Sequence, residues 1–331
     1  MGPGPVQWGM IGCGDVTERK SAPAFSKIPG SKLMAVGSRT PEKARDYALR
    51  HAVPVWHPDP FAVIHDPGVD IIYIATPPGS HAEYALEAIG AGKPVYIEKP
   101  MARNFEECRV INSAAEKAGI PVYVAYYRRS LDYFKKVKEI VDSGRIGRIR
   151  HITVQQLFPP RTEDYDRTRP PWRVIPEISG GGYFHDMGCH ALDILFYIFG
   201  DPVSAEGAAA NEGGLYVADD TVEARLILPG GVQISGNWSF VAEGPGATDT
   251  IEAEGEKGTL RFSVFSFDPI ILAGPGGEEH FNAPSPEHIQ MPLIGTIVDE
   301  LNGKGSCPST GMTGAVTSRV MDQITGKWKR I

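Results

Sequence analysis

The stretch Gln7-Trp8-Gly9-Met10-Ile11-Gly12-Cys13-Gly14-Asp15-Val16-Thr17 decides the fold class of this chain. An apolar run of strand length leads into two glycines, and a helical pattern follows. This is the order of the first strand and phosphate-binding turn of a dinucleotide-binding fold. Gly12 permits a tight turn, Gly14 lets the backbone approach a pyrophosphate, and a helix beginning at Asp15 and Val16 offers its positive end to the phosphates. A tight turn that binds no ligand is the alternative interpretation.

Further along, apolar runs of strand length alternate with helical patterns. The predicted strands cover residues 7–11, 32–37, 70–75, 94–98 and 122–125, and the predicted helices cover 15–27, 41–51, 80–91 and 104–118. Such alternation predicts right-handed crossovers and a parallel sheet. Ser80-His81-Ala82-Glu83 has the spacing of a capping box, so a helix is expected to begin after the Pro77-Pro78-Gly79 turn. That turn should border the cofactor.

The pattern changes after Ala125. Helical patterns near 131–143 and 184–199 are joined there by strand-like runs at 148–158, 220–228, 231–241, 248–254 and 258–265. Short glycine turns and period-two patterning predict a mainly antiparallel sheet. We therefore expect an α/β protein, with a parallel Rossmann sheet in residues 1–124 and an α+β domain with a large open sheet in residues 125–331. Residues 159–176 are expected to form an irregular loop rich in Pro and Arg.

Composition argues against several classes of protein. The 331 residues contain 33 Lys and Arg against 40 Asp and Glu, and the net charge of −7 gives no general basic field for nucleic acid or an anionic membrane. The four cysteines are far apart and form no C-x-x-C pair, which argues against a zinc module or a disulfide framework. The sequence suggests neither a signal peptide nor a membrane span, and we expect a cytoplasmic protein.

The predicted strand at residues 94–98 is followed directly by a lysine. The stretch Pro94-Val95-Tyr96-Ile97-Glu98-Lys99-Pro100 is a short apolar run that ends on a carboxylate and an ammonium group. Ligands of open α/β sheets bind outside the carboxyl ends of the strands. Lys99 is therefore expected at the edge that holds the cofactor, with Glu98 fixing the lysine rather than reacting.

The end of the second strand bears on the choice of cofactor. Val36-Gly37-Ser38-Arg39-Thr40 has no Asp or Glu to accept hydrogen bonds from a ribose 2′-hydroxyl. Ser38 and Arg39 suit a 2′-phosphate instead, because a guanidinium forms charge-assisted bonds with phosphate. We therefore favour NADP over NAD. An arginine that stacks on adenine and a solvated loop residue are the alternatives.

A third cluster lies between Gly180 and Asp193. On a helix, Asp186, His190 and Asp193 fall at i, i+4 and i+7 and share one face. A histidine one turn from carboxylates is suited to proton transfer near neutral pH, although a helix whose His and Asp simply satisfy each other explains the pattern equally well. We expect no metal, because His185 points to a different face from His190 and no fourth ligand is evident.

Together these motifs resemble one family, the glucose–fructose oxidoreductase, inositol dehydrogenase and MocA-like oxidoreductases. The resemblance extends through nearly the whole chain and rests on the order and spacing of several short motifs. These are Gly12-Cys13-Gly14, Ser38-Arg39-Thr40-Pro41, Thr76-Pro77 with His81, Ala91-Gly92-Lys93, Glu98-Lys99-Pro100, Trp172-Arg173, Gly180-Gly181-Gly182, Asp186-Met187-Gly188-Cys189-His190 and Asp193.

The resemblance implies NAD(P)-linked chemistry on a sugar, a polyol or a related compound. Lys99 matches the family's active-site lysine, and Asp186 and His190 match its catalytic aspartate and histidine. His190 would move the hydroxyl proton, Lys99 would stabilise alkoxide charge, and Asp186 would orient His190 or a vicinal hydroxyl. The expected cofactor contacts are Gly12, Gly14, Asp15, Val16, Ser38, Arg39, Thr76, Pro77, His81, Glu98 and Lys99. The expected substrate pocket comprises Tyr126, Arg128, Trp172, Arg173, Asp186 and His190.

Two other functions within the family stay open at this point. One is an NAD-dependent redox-elimination glycosidase, and the other is a non-catalytic regulator that senses a dinucleotide. The strands near 220–265 carry Val222, Leu226, Ile234, Trp238 and Phe240. If these side chains form an exposed apolar face, the protein is a homodimer or homotetramer joined through this sheet.

Overall fold

The computed structural model describes residues 4–244 and 246–327 of the chain. These residues form two compact units, and each is built around one β-sheet. The first unit runs to Ala102 and also contains Glu106–Ser130 and Pro286–Ala315, whereas the second contains Arg103–Phe105, Leu131–Ser285 and the residues from Val316 onward. The division expected at residue 124 assigned residues 286–315 to the second domain. In the structure these residues belong to the first unit, so the two units are not consecutive stretches of sequence.

The first unit contains the predicted parallel sheet. Its strands are β1 (Val6–Ile11), β2 (Ser31–Gly37), β3 (Val55–His57), β4 (Ile71–Ile74), β5 (Val95–Ile97) and β6 (Val122–Val124). They lie in the order β3-β2-β1-β4-β5-β6, and each neighbouring pair is parallel. The order of the strands reverses between β1 and β4, and ligands of such sheets bind at this switch point.

Short helices connect the strands of this sheet. They are α1 (Asp15–Arg19), α2 (Ala22–Lys27), α3 (Pro41–Arg50), α4 (Pro60–Ile64), α5 (His81–Gly90) and α6 (Phe105–Ala118). The prediction of one helix over 15–27 is wrong, because the helix is broken after Arg19 and restarts at Ala22. Pro23 has no N–H to donate, and its ring would clash with the carbonyl of residue 19 in a continuous helix.

The second unit contains a larger, mixed sheet. Its strands are β7 (Ile149–Leu157), β8 (Ser204–Ala210), β9 (Thr221–Ile227), β10 (Gln233–Ser239), β11 (Thr248–Gly255), β12 (Thr259–Phe262), β13 (Ile270–Gly274) and β14 (Gly277–Phe281), and its helices include α7 (Asp132–Asp142), α8 (Pro176–Ser179) and α9 (Cys189–Phe199). The order is β14-β13-β12-β11-β7-β10-β9-β8. The pair β7 and β10 is parallel and the other neighbouring pairs are antiparallel, which confirms the predicted fold class.

The two faces of this sheet differ in polarity. The five apolar residues expected on an exposed face are all buried, with at most 2% of their surface accessible: Val222, Leu226, Ile234, Trp238 and Phe240. Because side chains alternate along a strand, Glu223, Arg225, Ser235 and Asn237 lie on the opposite face, where they line an open groove. The expectation of an exposed apolar face is therefore wrong. An exposed apolar face no longer supports a homodimer or homotetramer joined through this sheet, and such an assembly stays a prediction.

Two further helices follow β14, α10 (Met291–Leu301) and α11 (Gly311–Ile324). The segment between them closes the edge of the first sheet. The Val124 N–H donates to the Ser309 carbonyl (3.2 Å), the Ser309 hydroxyl donates to the Val124 carbonyl (2.7 Å), and Tyr123 forms a β-bridge with Thr310. In the part of the chain that the structure describes, every helix is too short or too polar to cross a bilayer.

Candidate active site

The turn after β1 contains two glycines that are needed for different reasons. Gly12 has a φ of +101°, and a Cβ there would lie 2.8 Å from the carbonyl oxygen of Ala75. Only glycine accepts that combination. Gly14 is extended, with a φ of −106°, and a Cβ there would meet no atom of the described residues within 4 Å. The packing of the protein therefore explains Gly12 but not Gly14, whose open side is free to receive a ligand.

Thr17 and Cys13, which lie next to these glycines, have structural roles. The Thr17 hydroxyl donates to the Gly14 carbonyl at 2.7 Å, which ties helix α1 back to the turn. Burial raises the pKa of the Cys13 thiol to about 12, with the charge of Glu18 adding to the effect. Cys13 is therefore protonated and is not a candidate nucleophile.

The turn after β4 is held by Ser80, although not as a capping box. Helix α5 begins at His81 as predicted, but no side-chain cap bond forms at Ser80. Its hydroxyl lies 2.9 Å from Thr76 Oγ1 and 3.2 Å from the Pro77 carbonyl. These contacts order Thr76 and Pro77 beside the switch point.

His81 lies beneath this turn and is completely buried. Its Nε2 is 2.7 Å from the Thr76 carbonyl oxygen, and its Nδ1 is 3.1 Å from the Pro100 carbonyl oxygen. Burial lowers its pKa, although the carbonyl contacts oppose that shift. The imidazole thus ties the end of β4 to the segment that follows β5.

Lys99 follows a carboxylate that is fixed from several sides. Glu98 is 7% exposed, and its Oε1 accepts hydrogen bonds from the Tyr73 hydroxyl (2.6 Å) and from Gln290 Nε2 (2.7 Å). The Lys99 N–H donates to Glu98 Oε2 at 3.3 Å, and the Lys99–Pro100 peptide is cis. Burial raises the pKa of the Tyr73 hydroxyl well above its usual value, and the charge of Glu98 adds to the rise. Glu98 is therefore a buried carboxylate directly before Lys99, and two side-chain donors hold it in place.

At the end of β2, Ser38 is half-buried and its Oγ accepts a hydrogen bond from the Thr40 N–H at 3.2 Å. Arg39 is exposed. In register with Gly37 on the neighbouring strand, His57 contacts the Asp66 carboxylate at 2.8 Å. The side chain of Arg39 therefore extends from the strand end into solvent.

Two predicted pocket residues follow β6. Tyr126 is fully buried, and Arg128 is 3% exposed with its guanidinium 4.9 Å from the centre of the Tyr127 ring. Arg128 belongs to a 3₁₀ turn over Tyr127–Ser130. Both residues thus lie at the carboxyl edge of the first sheet.

The third cluster begins with a π-helical turn, Phe184–Gly188, and helix α9 starts only at Cys189. The helix predicted near 184–199 is present, but its first five residues form a π turn, which contains more residues than an α turn. The i, i+4, i+7 spacing therefore does not apply to Asp186. His190 is 4% exposed, with its ring 5.8 Å from that of Phe265, and Asp193 is 1% exposed.

The structure brings three of the predicted pocket residues together within the second unit. Arg173 Nε donates to Asp186 Oδ2 at 3.0 Å. The guanidinium of Arg173 lies 4.6 Å from the centre of the Trp172 ring. Trp172 and Arg173 belong to a 3₁₀ turn over Trp172–Val174, at the end of the segment expected to be irregular. A cation on an aromatic surface therefore holds the carboxylate of Asp186.

His185 is packed inside the second unit. It is 1% exposed, its Nδ1 lies 3.1 Å from the Gly181 carbonyl oxygen, and burial, followed by the charge of Lys327, lowers its pKa to about 3. A Cβ at Gly181 would lie 2.4 Å from this ring. Gly180 has a φ of +92°, and a Cβ there would lie 2.4 Å from the Arg103 carbonyl oxygen. These glycines thus allow close backbone packing next to the π turn.

Two family models match the chain. The model described as an oxidoreductase family with an NAD-binding Rossmann fold matches residues 6–126, and the GFO/IDH/MocA C-terminal domain matches residues 134–261. The chain belongs to the GFO/IDH/MocA oxidoreductase family. The predicted family and the predicted oxidoreductase class are confirmed.

One relative supports the GFO/IDH/MocA assignment along the whole chain. Oxidoreductase P35 of Formosa agariphila is 38% identical over 321 residues, which cover 97% of this chain and 98% of that protein. Two solved structures share the fold, each with a TM-score of 0.85 and with coverage of 97% of this chain and 96% of the other. They are an aldose-aldose oxidoreductase from Caulobacter crescentus complexed with glycerol (22% identity) and a levoglucosan dehydrogenase complexed with NADH and levoglucosan (23% identity).

Some residues of this GFO/IDH/MocA protein were not predicted from the sequence. Gln290 donates to Glu98 Oε1 and accepts from the Tyr96 hydroxyl at 2.8 Å, yet it lies 192 residues beyond Glu98. No local pattern marks such a partner. Among residues 4–244 and 246–327, no group of three or more His, Cys, Asp or Glu side chains is placed to hold a metal ion.

Proposed function

We propose that the protein is an NAD(P)-dependent dehydrogenase or reductase that acts on a hydroxyl-bearing carbon of a sugar, a polyol or a related compound. One observation carries the proposal. The glycine turn after β1, the Thr76-Pro77 turn after β4 and Lys99 after β5 follow three neighbouring parallel strands at the switch point of the first sheet. A cofactor turn and a cationic side chain at the same sheet edge suit hydride transfer beside a polarised oxygen.

The residues of the first unit fit a dinucleotide. Gly14 has an open side that packing does not explain, and Gly12 holds the tight turn before it. The proposed contacts also include Asp15 and Val16 on α1, Thr76 and Pro77 at the next turn, and His81, Glu98 and Lys99. When bound, the nicotinamide takes up or gives back the hydride of the reacting carbon.

Ser38 and Arg39 support a preference for NADP over NAD. No carboxylate occupies the end of β2, and the exposed guanidinium of Arg39 is able to pair with a 2′-phosphate. The family match itself supports binding of NAD-type cofactors and does not separate the two.

Side chains of the protein would transfer the proton and stabilise the charge that develops on the reacting oxygen. As the C–H electron pair leaves the alcohol carbon as hydride, the O–H proton passes to the imidazole of His190, and a carbonyl remains. The reverse reaction returns the same proton. Lys99 would hydrogen-bond the reacting oxygen or its neighbour, and Asp186, held by Arg173, would orient His190 or a vicinal hydroxyl. Tyr126, Arg128, Trp172 and Arg173 are proposed as substrate contacts.

A substrate panel tests this function. Purified protein is mixed with NAD⁺ or NADP⁺ and with levoglucosan, D-glucose, D-xylose or myo-inositol, and the nicotinamide absorbance is followed. Net reduction of free cofactor supports the dehydrogenase. A redox-elimination glycosidase would cleave a glycoside with no net absorbance change, and a regulator would bind the dinucleotide without any reaction. Either result would overturn the proposal.

A further inference from the structure

The segment 159–176 is attached at three points to the π turn that carries Asp186 and to Tyr183 directly before that turn. The Tyr183 hydroxyl, directly before the turn, donates to Asp164 Oδ1 at 2.6 Å. Within the turn, Met187 Sδ lies 3.2 Å from Arg161 NH2. The third attachment is the 3.0 Å bond from Arg173 to Asp186. Both ends of the segment are thus held by the same few residues, 183–187.

The first attachment is a buried polar pair. Asp164 is 3% exposed and Tyr183 is 1% exposed. The other oxygen of Asp164 accepts the Arg161 N–H at 2.8 Å, and the Arg161 guanidinium lies 4.6 Å from the centre of the Tyr183 ring. Burial raises the pKa of Tyr183 above its usual value, so the hydroxyl stays protonated and keeps donating. Removing a partner from a buried carboxylate is costly, which makes this pair a strong constraint on the segment.

Packing alone does not hold these groups. A cavity of about 140 Å³ lies among Phe158, Pro159, Arg161, Asp164, Tyr183 and Met187, with Phe240 also on its wall. This space is large enough to hold water, so the side chains that line it are not packed against other protein atoms on that side. The position of the π turn relative to the segment therefore depends on the directed bonds of Asp164, Arg161 and Arg173.

We propose that Asp164 and Tyr183 are positioning residues, which hold the π turn in register so that Arg173 presents the carboxylate of Asp186 to the reaction. The proposal rests on the proposed function, in which Asp186 acts on the substrate or on His190. π turns inside helices recur at functional sites, and a reacting group displaced by about 1 Å loses up to about 10²-fold in rate. Neither residue needs to touch the substrate.

Hydrogen exchange tests the structural part of the proposal without any substrate. Tyr183→Phe removes the hydroxyl and leaves the ring in place. The matched control is Tyr165→Phe, because Tyr165 is 63% exposed and neighbours Asp164 in the sequence. We expect amides of peptides covering residues 184–190 to exchange faster in Tyr183→Phe than in wild type or in the control. Equal exchange in all three proteins would overturn the proposal.

Kinetics test the connection to Asp186. With the best substrate of the panel, Tyr183→Phe should lower kcat about tenfold and change KM much less. In an Asp186→Asn background, the same substitution should change the residual single-turnover rate less than twofold, because its route of action is already removed. Asp164→Asn should behave like Tyr183→Phe.

The outcomes separate this proposal from the proposed function. Equal losses from Tyr183→Phe in both backgrounds would mean a general structural role and would overturn the positioning role alone. An Asp186→Asn variant with wild-type turnover would overturn the positioning role and the role proposed for Asp186, whereas the dehydrogenase activity itself would stand. Wild-type kcat in both Tyr183→Phe and Asp164→Asn would also exclude positioning, whatever Asp186 does.

Discussion

The Tyr73 hydroxyl donates a 2.6 Å hydrogen bond to Glu98 Oε1, one residue before Lys99. The two residues belong to β4 and to the end of β5, which are neighbours in the first sheet. Gln290 adds a second donor to the same oxygen at 2.7 Å. Lys99 is thus carried by a strand end whose carboxylate is fixed inside the unit.

Loss of either hydrogen-bond donor to Glu98, the Tyr73 hydroxyl or the Gln290 amide, should destabilise the first unit. Tyr73→Phe and Gln290→Leu each leave a buried carboxylate oxygen with one donor fewer, at a cost of about 1–3 kcal/mol. A melting temperature lower by about 2–4 °C per kcal/mol is expected in thermal unfolding followed by circular dichroism. Tyr165→Phe, at an exposed hydroxyl, is the control. If Tyr73→Phe melts like the control, the bond to Glu98 is not a stabilising one.

Replacement of the proposed reacting groups should remove turnover while the fold persists. Lys99→Ala and His190→Ala should each lose about 10²–10⁴-fold in kcat/KM, and cofactor affinity should be largely unchanged in His190→Ala, whose residue is not a proposed cofactor contact. The double variant should lose less than the product of the two losses, because residues that act in one step are not additive. Steady-state kinetics and cofactor titration measure both quantities.

The control for this experiment needs an exposed histidine. His185 is unsuitable because it is buried, whereas the side chain of His280 is 51% exposed in the second unit. His280→Ala should keep wild-type kinetics. Turnover retained in His190→Ala would assign the Asp186 and His190 pair to structure alone.

Arg39→Ala should weaken NADP(H) binding selectively. Loss of a charge-assisted contact costs about 1.5–3 kcal/mol, which is roughly a 10- to 150-fold rise in Kd. The Kd for NAD(H) should barely change. Titration of nicotinamide fluorescence measures both constants, and Arg45→Ala, an exposed arginine on α3, is the control. The NADP preference is wrong if wild-type protein binds NAD(H) as tightly as NADP(H).

The sequence predicted those parts of the fold that depend on local pattern. Period and length located five of the six strands of the first sheet, and the glycines after β1 marked the switch point. The three-residue strand Val55–His57 is too short to show a period. The segment 286–315 joins the first unit through bonds such as Ser309 to Val124, across 185 residues, which no local pattern records.

The same holds for the candidate site, where the sequence predicted the parts that depend on local motifs and not the long-range contacts. Lys99 and the glycines follow from motifs at strand ends. The π turn was mistaken for an α-helix because both show similar apolar patterns over five residues. The contacts of Asp164 with Tyr183 and of Arg173 with Asp186 depend on how segment 159–176 folds back on the turn, and a Pro- and Arg-rich sequence does not encode that path locally.

His185 should make the stability of the protein sensitive to acid. Its pKa is lowered to about 3 by burial and by Lys327, against an ordinary value of about 6.5 in the unfolded chain. Between these values the unfolded chain binds a proton that the folded protein does not, so stability falls as pH drops through this window. Above pH of about 6.5 the contribution is complete. A His185→Gln variant cannot bind this proton. Its free energy of unfolding should therefore fall less steeply than that of wild type as the pH drops, with a slope smaller by up to about 1.4 kcal/mol per pH unit. Melting temperatures from pH 4 to 8 compare the slopes, with His280→Gln as the exposed control; parallel curves for wild type and His185→Gln would contradict the assignment of a neutral, buried imidazole.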